Sequence, residues 1–125
     1  RLPAGRRAAV LRIRQAMAAA PFYIAGTGRF CTDLIAATGG RALIKAGAEA
    51  VYVAILPALG LGMAMKIDDG SARPRSVACG AILRQVGALD DAAWAALQPH
   101  VAPVLRNHAG TEVGRVRVGP GWLDA

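Results

Sequence analysis

The 125 residues suffice for one domain, and a chain of this size buries roughly two-thirds of its unfolded surface on folding. A hydrophobic content of 54% and a mean hydropathy of +0.36 exclude a disordered chain. The net charge of +7 comes mostly from arginine and is compatible with an acidic partner. Arginine-rich helical faces of this kind are usually only solvated, so we do not expect a nucleic-acid partner. The two cysteines have no disulfide-framework spacing and indicate the cytoplasm, and no apolar run reaches the roughly 18 residues of a membrane span.

The first element is a helix over residues 6–20. Val10, Ile13 and Met17 recur at helical spacing on one side, and Pro21 ends the helix because proline lacks the backbone N–H. A basic recognition helix or membrane-surface helix is one interpretation. We favour an amphipathic helix that packs on the rest of the domain.

A short apolar link at residues 22–24 leads to the turn Gly26, Thr27, Gly28 and Arg29. Two glycines permit a tight turn with positive φ, but the third glycine of a dinucleotide fingerprint is absent. Thr27 is expected to cap a helix over residues 28–37. Turn-and-cap is the simpler interpretation, and a ligand cradle is the alternative. The predicted apolar side of this helix comprises Phe30, Leu34, Ile35 and Thr38.

Three strands are predicted next, over residues 41–46, 49–56 and 61–67. The second carries Val51, Val53 and Ile55 on one face, and the third alternates large and small residues. Short connections, including a turn at residues 57–60, make these strands antiparallel neighbours.

The second half returns to helix over residues 73–86, followed by a short helix that Asp90 caps and Pro99 ends. A turn and a strand over residues 112–118 close the chain, and the last four residues look untied. The fold class is therefore α/β, an antiparallel sheet of three to four strands with packed helices. The predicted packing face of the longer helix comprises Val77, Ala78, Ala81, Ile82, Gln85 and Val86.

Lys45 is the residue most suited to catalysis. Beside a hydroxyl in a site poor in water, a lysine loses its proton and activates that hydroxyl. The alternative is that Lys45 points outward and pairs with Glu49. The only serines, Ser71 and Ser76, lie in no nucleophile-like frame, and no His or Cys pair has zinc-site spacing, so we expect no metal ligand here.

Two segments, AGTGRFCTDLIAATGGRALIKAGAEAVY and LGLGMAMKIDDG, and more loosely PVLRNHAGTEVG, resemble the C-terminal part of bacterial L-asparaginase II, the thermolabile serine–lysine group. The resemblance covers most of residues 15–118. It implies a fold similar to serine β-lactamases and glutaminases, and hydrolysis of the L-asparagine side-chain amide. It makes Lys45 the strand lysine that partners a serine, places residues 26–29 beside the substrate, and makes Asp68 and Asp69 structural turn residues.

The family's N-terminal half, with its Arg-Ser-x-x-Lys, Cys-Ser-Gly-Lys-His and Asp-Gly-Cys motifs, has no counterpart here. Because these motifs are absent, no cofactor is expected in this chain, and the resemblance makes zinc possible in the complete enzyme. Since the chain also begins at Arg1 without a methionine, residues 1–125 are expected to be a single domain or a fragment, inactive alone. The expected partners are the missing N-terminal half, L-asparagine and further copies in a homo-oligomer. The alternative is a non-enzymatic basic binding or oligomerisation module.

Overall fold

The computed structural model describes residues 2–122, and its fold is α/β as predicted. Helices pack on a three-stranded antiparallel sheet of order β1-β2-β3, and a separate two-stranded sheet joins β4 to β5. The helices are α1 (Ala4–Ala19), α2 (Phe22–Ala25), α3 (Phe30–Ala37), α4 (Arg75–Gln85), α5 (Asp91–Ala96) and α6 (Gln98–Val101). The strands are β1 (Leu43–Ala46), β2 (Val51–Leu56), β3 (Leu61–Lys66), β4 (Val104–Arg106) and β5 (Glu112–Arg115).

Helix α1 confirms the first predicted element, but its predicted packing face is confirmed only at Met17. Val10 and Ile13 are 41% and 60% exposed, while Met17 and Ala18 near its C-terminal end pack against the core. The N-terminal turns extend beyond the surface that α3 and β1 offer, so their apolar side chains stay in solvent. The link predicted at residues 22–24 forms the single helical turn α2 instead.

The start of α3 differs from the prediction by two residues. Arg29, rather than Thr27, occupies the N-cap position, and no side chain caps the helix. Gly26 and Gly28 adopt φ values of 92° and 66°, which confirms the tight turn that their flexibility predicts. The predicted apolar side of the helix is confirmed as the buried one. Its members are Phe30, Leu34, Ile35 and Thr38.

The three predicted antiparallel strands are confirmed, with Lys45 opposite Val53 and Val53 opposite Ala64. Residues of alternate parity face opposite sides of a sheet. Tyr52 and its inward neighbours on β2 lie in the core, whereas Val53 and Ile55 point outward and are 48% and 43% exposed. The inner face of the sheet is covered by α3 and α4. Most of the outer face, which carries Lys45, is open.

Helix α4 buries Val77 and Ala81 as predicted, but the rest of its buried set differs from the prediction. Cys79, Gly80 and Leu83 are buried, whereas Gln85 and Val86 are exposed. Because α4 packs against β2 on one side and α6 on another, it is covered over a wide arc that a single-face pattern does not describe.

The C-terminal part confirms one predicted cap and corrects two boundaries. The side chain of Asp90 accepts a hydrogen bond from the Ala93 N–H at 2.8 Å, as an N-cap residue does. Pro99 ends no helix and lies in the first turn of α6, where its missing N–H costs nothing. The final strand, predicted over residues 112–118, ends at Arg115 and pairs with β4, which was not foreseen. Of the last four residues, predicted to be untied, 123–125 lie outside the described residues.

The described helices include none that is both long enough and apolar enough to span a membrane.

Candidate active site at the unpaired edge of the sheet

Strand β1 lies at one edge of the sheet and pairs only with β2. The Gly47 N–H donates to the Val51 carbonyl at 2.9 Å, so the peptide groups of alternate residues from Gly47 backward face β2. The Ala46 carbonyl therefore faces the unpaired edge. Lys45 Nζ donates to this carbonyl at 2.9 Å, which holds the ammonium group at the edge. The Lys45 side chain is exposed.

The pairing of Lys45 with Glu49, the alternative to a catalytic role, is not formed. Glu49 Oε2 lies 4.0 Å from Lys66 Nζ instead, and no ion pair among residues 2–122 includes Lys45. Ile44, which precedes the lysine, is buried as expected, but Lys45 itself is exposed. Its ammonium group is therefore accessible and has no carboxylate partner in the described structure. Its role in catalysis stays a prediction.

Helix α3 places a buried thiol next to the same edge. Cys31 is 2% exposed, and burial raises the pKa of its thiol above the ordinary value. A hydrogen bond with the backbone of Ala46 opposes part of this rise. Three positive charges also oppose it, those of Lys45, Arg75 and Arg29. Of these three residues, Lys45 also contacts the end of β1 directly, through the Ala46 carbonyl.

Arg75, in the first turn of α4, was missed at the level of the sequence. Its Nη1 donates to the Gly47 carbonyl at 3.3 Å, and its guanidinium carbon lies 4.5 Å from the centre of the Tyr52 ring. The Arg75 Nε is buried and has no hydrogen-bond partner. A positive charge in the first turn of a helix opposes the helix dipole, so its presence there was the available signal for another role.

The turn predicted to bind substrate lies at the start of α3. Thr27, Gly28 and Arg29 are exposed, and a Cβ added at Gly26 or Gly28 would meet no atom within 4 Å. The positive charge of Arg29 opposes part of the rise in the pKa of the Cys31 thiol. No described contact joins the other three turn residues to Lys45, so their role in substrate binding stays a prediction.

Within residues 2–122, neither serine forms a hydrogen bond with Lys45. The Ser76 hydroxyl lies 3.2 Å from the Tyr52 hydroxyl, and the Ser71 hydroxyl accepts from the Arg73 N–H at 3.4 Å. Among residues 2–122, the Lys45 ammonium group donates its hydrogen bond to the Ala46 carbonyl.

The zinc implied for the complete enzyme does not fit the residues of this chain. No group of three or more His, Cys, Asp or Glu side chains is placed to hold a metal within the described range. His100 Nε2 lies 2.7 Å from Asp33 Oδ2 and its ring packs edge-on against Phe30, so this histidine ties α6 to α3. The pKa of the Cys79 thiol is raised to about 12, mainly by burial, which disfavours the thiolate that binds metal.

Fold and site together define an α/β protein with a lysine at the unpaired edge of an antiparallel sheet. The family model described as L-asparaginase II matches residues 1–118. The chain therefore belongs to the L-asparaginase II family, and this membership supports an asparaginase-related function. Comparison with curated proteins finds no match.

Proposed function

We propose that this chain contributes part of an amidohydrolase active site, in which Lys45 activates a serine for hydrolysis of L-asparagine. The observation that carries the proposal is the position of Lys45 Nζ at the unpaired edge, held by the Ala46 carbonyl and free of any carboxylate in the described structure. The wider resemblance to serine β-lactamases and glutaminases is part of the same proposal.

The proposed reaction proceeds by two displacements at the side-chain carbonyl of asparagine. The serine oxygen attacks this carbon while its proton passes to the neutral Lys45 amine. The lysine then gives the proton to the departing nitrogen, which leaves as ammonia. Water, activated by the same amine, hydrolyses the resulting ester to aspartate and regenerates the serine.

The nucleophilic serine is proposed to come from polypeptide outside these 125 residues, corresponding to the family's N-terminal half. Two observations support this. The Arg-Ser-x-x-Lys motif is absent from the sequence, and neither Ser71 nor Ser76 hydrogen-bonds to Lys45. A covering segment would also remove water from the exposed lysine, which favours its neutral form. We therefore expect the isolated chain to be inactive.

The sheet has surfaces on which the segment that carries the serine can dock. Strand β1, which carries Lys45, pairs on one side only. Val53 and Ile55 form an apolar patch on the outer face. An unpaired strand beside exposed apolar side chains is suited to pairing with another segment.

Ammonia release from L-asparagine tests the proposal, with the chain assayed alone and together with the nucleophile-bearing segment. We expect activity only in the mixture, and a fall in kcat of about 100- to 10,000-fold on Lys45→Met. Lys66→Met is the matched control, because Lys66 is the other lysine of the chain, lies on the same sheet and is also exposed. Full activity of the Lys45→Met enzyme would show that the lysine assignment is wrong.

The competing function is a basic binding or oligomerisation module. Helix α1 favours it in one respect, because its sequence contains four arginines and no acidic residue, and Val10 and Ile13 are exposed on it. Nucleic-acid binding through α1 would fall steeply with salt and would be lost on changing Arg7, Arg12 and Arg14. Salt-independent or absent binding, combined with ammonia release in the mixture, favours the enzyme.

We also propose a homo-oligomeric enzyme in the cytoplasm, with any zinc held by segments outside this chain. The two cysteines, both free and buried, are compatible with a reducing compartment. Light scattering after size-exclusion chromatography measures the assembly, and metal analysis of the complete enzyme and of the isolated chain locates the zinc.

A further inference from the structure

The N-terminal part of α1 lines a groove of about 670 Å³. Near the other end of the helix, Met17 and Ala18 pack against the core. Arg7, Leu11, Arg14 and Ala18 recur at helical spacing and therefore share one side of α1. This side is covered at Ala18 and open toward the N-terminus. The groove is lined by Leu2, Ala4, Arg7, Val10, Leu11 and Arg14.

The groove combines an apolar centre with two positive charges. Val10 and Leu11 are exposed at the centre, and Arg7 and Arg14 lie on either side of them along the helix. Within residues 2–122, neither guanidinium group pairs with a carboxylate. The Arg14 Nε is buried and has no hydrogen-bond partner. Cations with unused donors gain most from an anionic partner, so the charge of the groove favours an acidic occupant.

The spacing of the two arginines matches a second helix. An α-helix rises about 1.5 Å per residue, so the Arg7 and Arg14 backbones lie about 10.5 Å apart along the axis. Two carboxylates seven residues apart on a partner helix have the same separation, and the two residues midway between them share their face. The lining from Ala4 to Arg14 extends over about 15 Å, which suits about ten helical residues. The matching occupant is an amphipathic helix in which two acidic residues flank an apolar pair.

A second copy of this chain does not match the groove. Helix α1 contains four arginines and no acidic residue, so pairing with the α1 of another copy would bring like charges together. No two acidic residues of the sequence lie seven residues apart, so no other helix of the chain carries the matching pair. Because Leu2 lines the groove, polypeptide joined on its N-terminal side would begin beside it.

We propose that this groove docks an acidic amphipathic helix of the nucleophile-bearing segment. The inference rests on the proposed function for the identity of that segment and adds the surface by which the two polypeptides recognise each other. Two carboxylates of the helix accept hydrogen bonds from Arg7 and Arg14, and its apolar pair covers Val10 and Leu11. The charges select the partner, and burial of the apolar side chains stabilises the complex.

The first test measures peptide binding to the isolated chain by fluorescence anisotropy. The probe is a labelled, alanine-rich peptide of about 20 residues, in which two glutamates seven residues apart flank two leucines. A matched peptide has glutamine in place of both glutamates. We expect the glutamate peptide to bind about 10-fold more tightly than the glutamine peptide, as two charge-assisted contacts predict. The difference should shrink between about 50 and about 500 mM NaCl, because salt screens exposed charges.

Variants of α1 locate the binding site. The double substitution Arg7→Met and Arg14→Met should abolish the preference for the glutamate peptide. Arg12→Met is the matched control, because Arg12 belongs to the same helix and does not line the groove. Leu11→Ser should weaken both peptides alike, since it removes apolar contact and leaves the charges unchanged. Undetectable binding of the glutamate peptide, equal binding of the two peptides, or a preference that survives the double substitution overturns the inference.

The second test measures assembly of the chain with the nucleophile-bearing segment by calorimetry. We expect the double substitution to raise the Kd of this pair about 10-fold, and the glutamate peptide to compete with the segment. Absence of the acidic and apolar pattern from the helices of the segment overturns the inference. Self-association that the peptide blocks would assign the groove to a second copy, and binding of anionic phospholipid vesicles without peptide binding would assign it to a membrane. Either result also overturns the inference.

Assembly and ammonia release separate this inference from the proposed function. Assembly that depends on Arg7 and Arg14 without ammonia release leaves the docking groove standing and refutes the amidohydrolase. Ammonia release by a pair whose Kd is unchanged by the double substitution leaves the amidohydrolase standing and refutes the docking groove.

Discussion

Gly80, in the middle of α4, is the position at which a single methyl group should disturb the fold most clearly. A Cβ at this position would lie 2.3 Å from Val101 Cγ1 and 3.2 Å from Val101 Cβ, and 3.6 Å from Trp94 Cζ3. Ordinary carbon–carbon contacts are about 3.5–4.0 Å, so the overlap with Val101 exceeds about 1 Å. Val101 is itself 4% exposed and has little space into which to move.

Two opposing effects set the magnitude for Gly80→Ala. The higher helix propensity of alanine stabilises the native state by about 1 kcal/mol. Insertion of a methyl group into a filled core destabilises it by about 1–3 kcal/mol, and the size of this overlap places the cost in the upper part of that range. The expected net loss is about 1–2 kcal/mol, which lowers Tm by roughly 3–10 °C for a domain of this size.

Thermal and urea unfolding followed by circular dichroism measure this loss. Gly5→Ala is the matched control, since Gly5 also lies in a helix and a Cβ there meets no atom within 4 Å. That variant should be neutral or stabilised by up to about 1 kcal/mol. Val101→Ala removes the methyl groups that clash, so the double variant should be more stable than the sum of the single effects predicts. Stabilisation of Gly80→Ala comparable to Gly5→Ala, or strict additivity with Val101→Ala, would refute the packing argument.

Two further predictions concern titratable groups. The pKa of Asp90 is lowered, chiefly by the hydrogen bond from the Ala93 N–H and also by Arg41. The ionised Asp90 carboxylate therefore stabilises the folded state at pH values above the ordinary carboxyl pKa. This stabilisation is lost as the pH falls through the lower, folded-state pKa. Asp90→Asn should therefore flatten the acid limb of a Tm-against-pH curve below about pH 4, and an unchanged limb would contradict this assignment. The pKa of the Cys79 thiol is about 12, so little thiolate is present at pH 8. We expect this thiol to react with a disulfide reagent at pH 8 at least about 1,000-fold more slowly in the native protein than in urea. Stopped-flow absorbance measures both rates, and comparable rates would exclude its burial.

Much of the fold was predictable because its signals are local. Glycines at 26 and 28, the cap at Asp90 and the short connections between strands each act through the backbone within a few residues. These features identified the tight turn, the short helix and the antiparallel neighbours. The position of the α1 surface was not predictable in this way, since nothing local states how far the rest of the domain extends beneath Val10 and Ile13.

The sequence by itself determined which residues of β2 share a face, because strand alternation is a property of the backbone. It did not determine which face is buried, since VYVAIL is apolar on both, and only the packing of α3 and α4 placed Tyr52 inward and Val53 outward. Lys45 was likewise recognisable as a candidate, but its position at the unpaired edge follows from the register with β2. Arg75 joins that site across 28 residues, because tertiary packing brings the start of α4 to the Gly47 carbonyl and no local pattern encodes that contact.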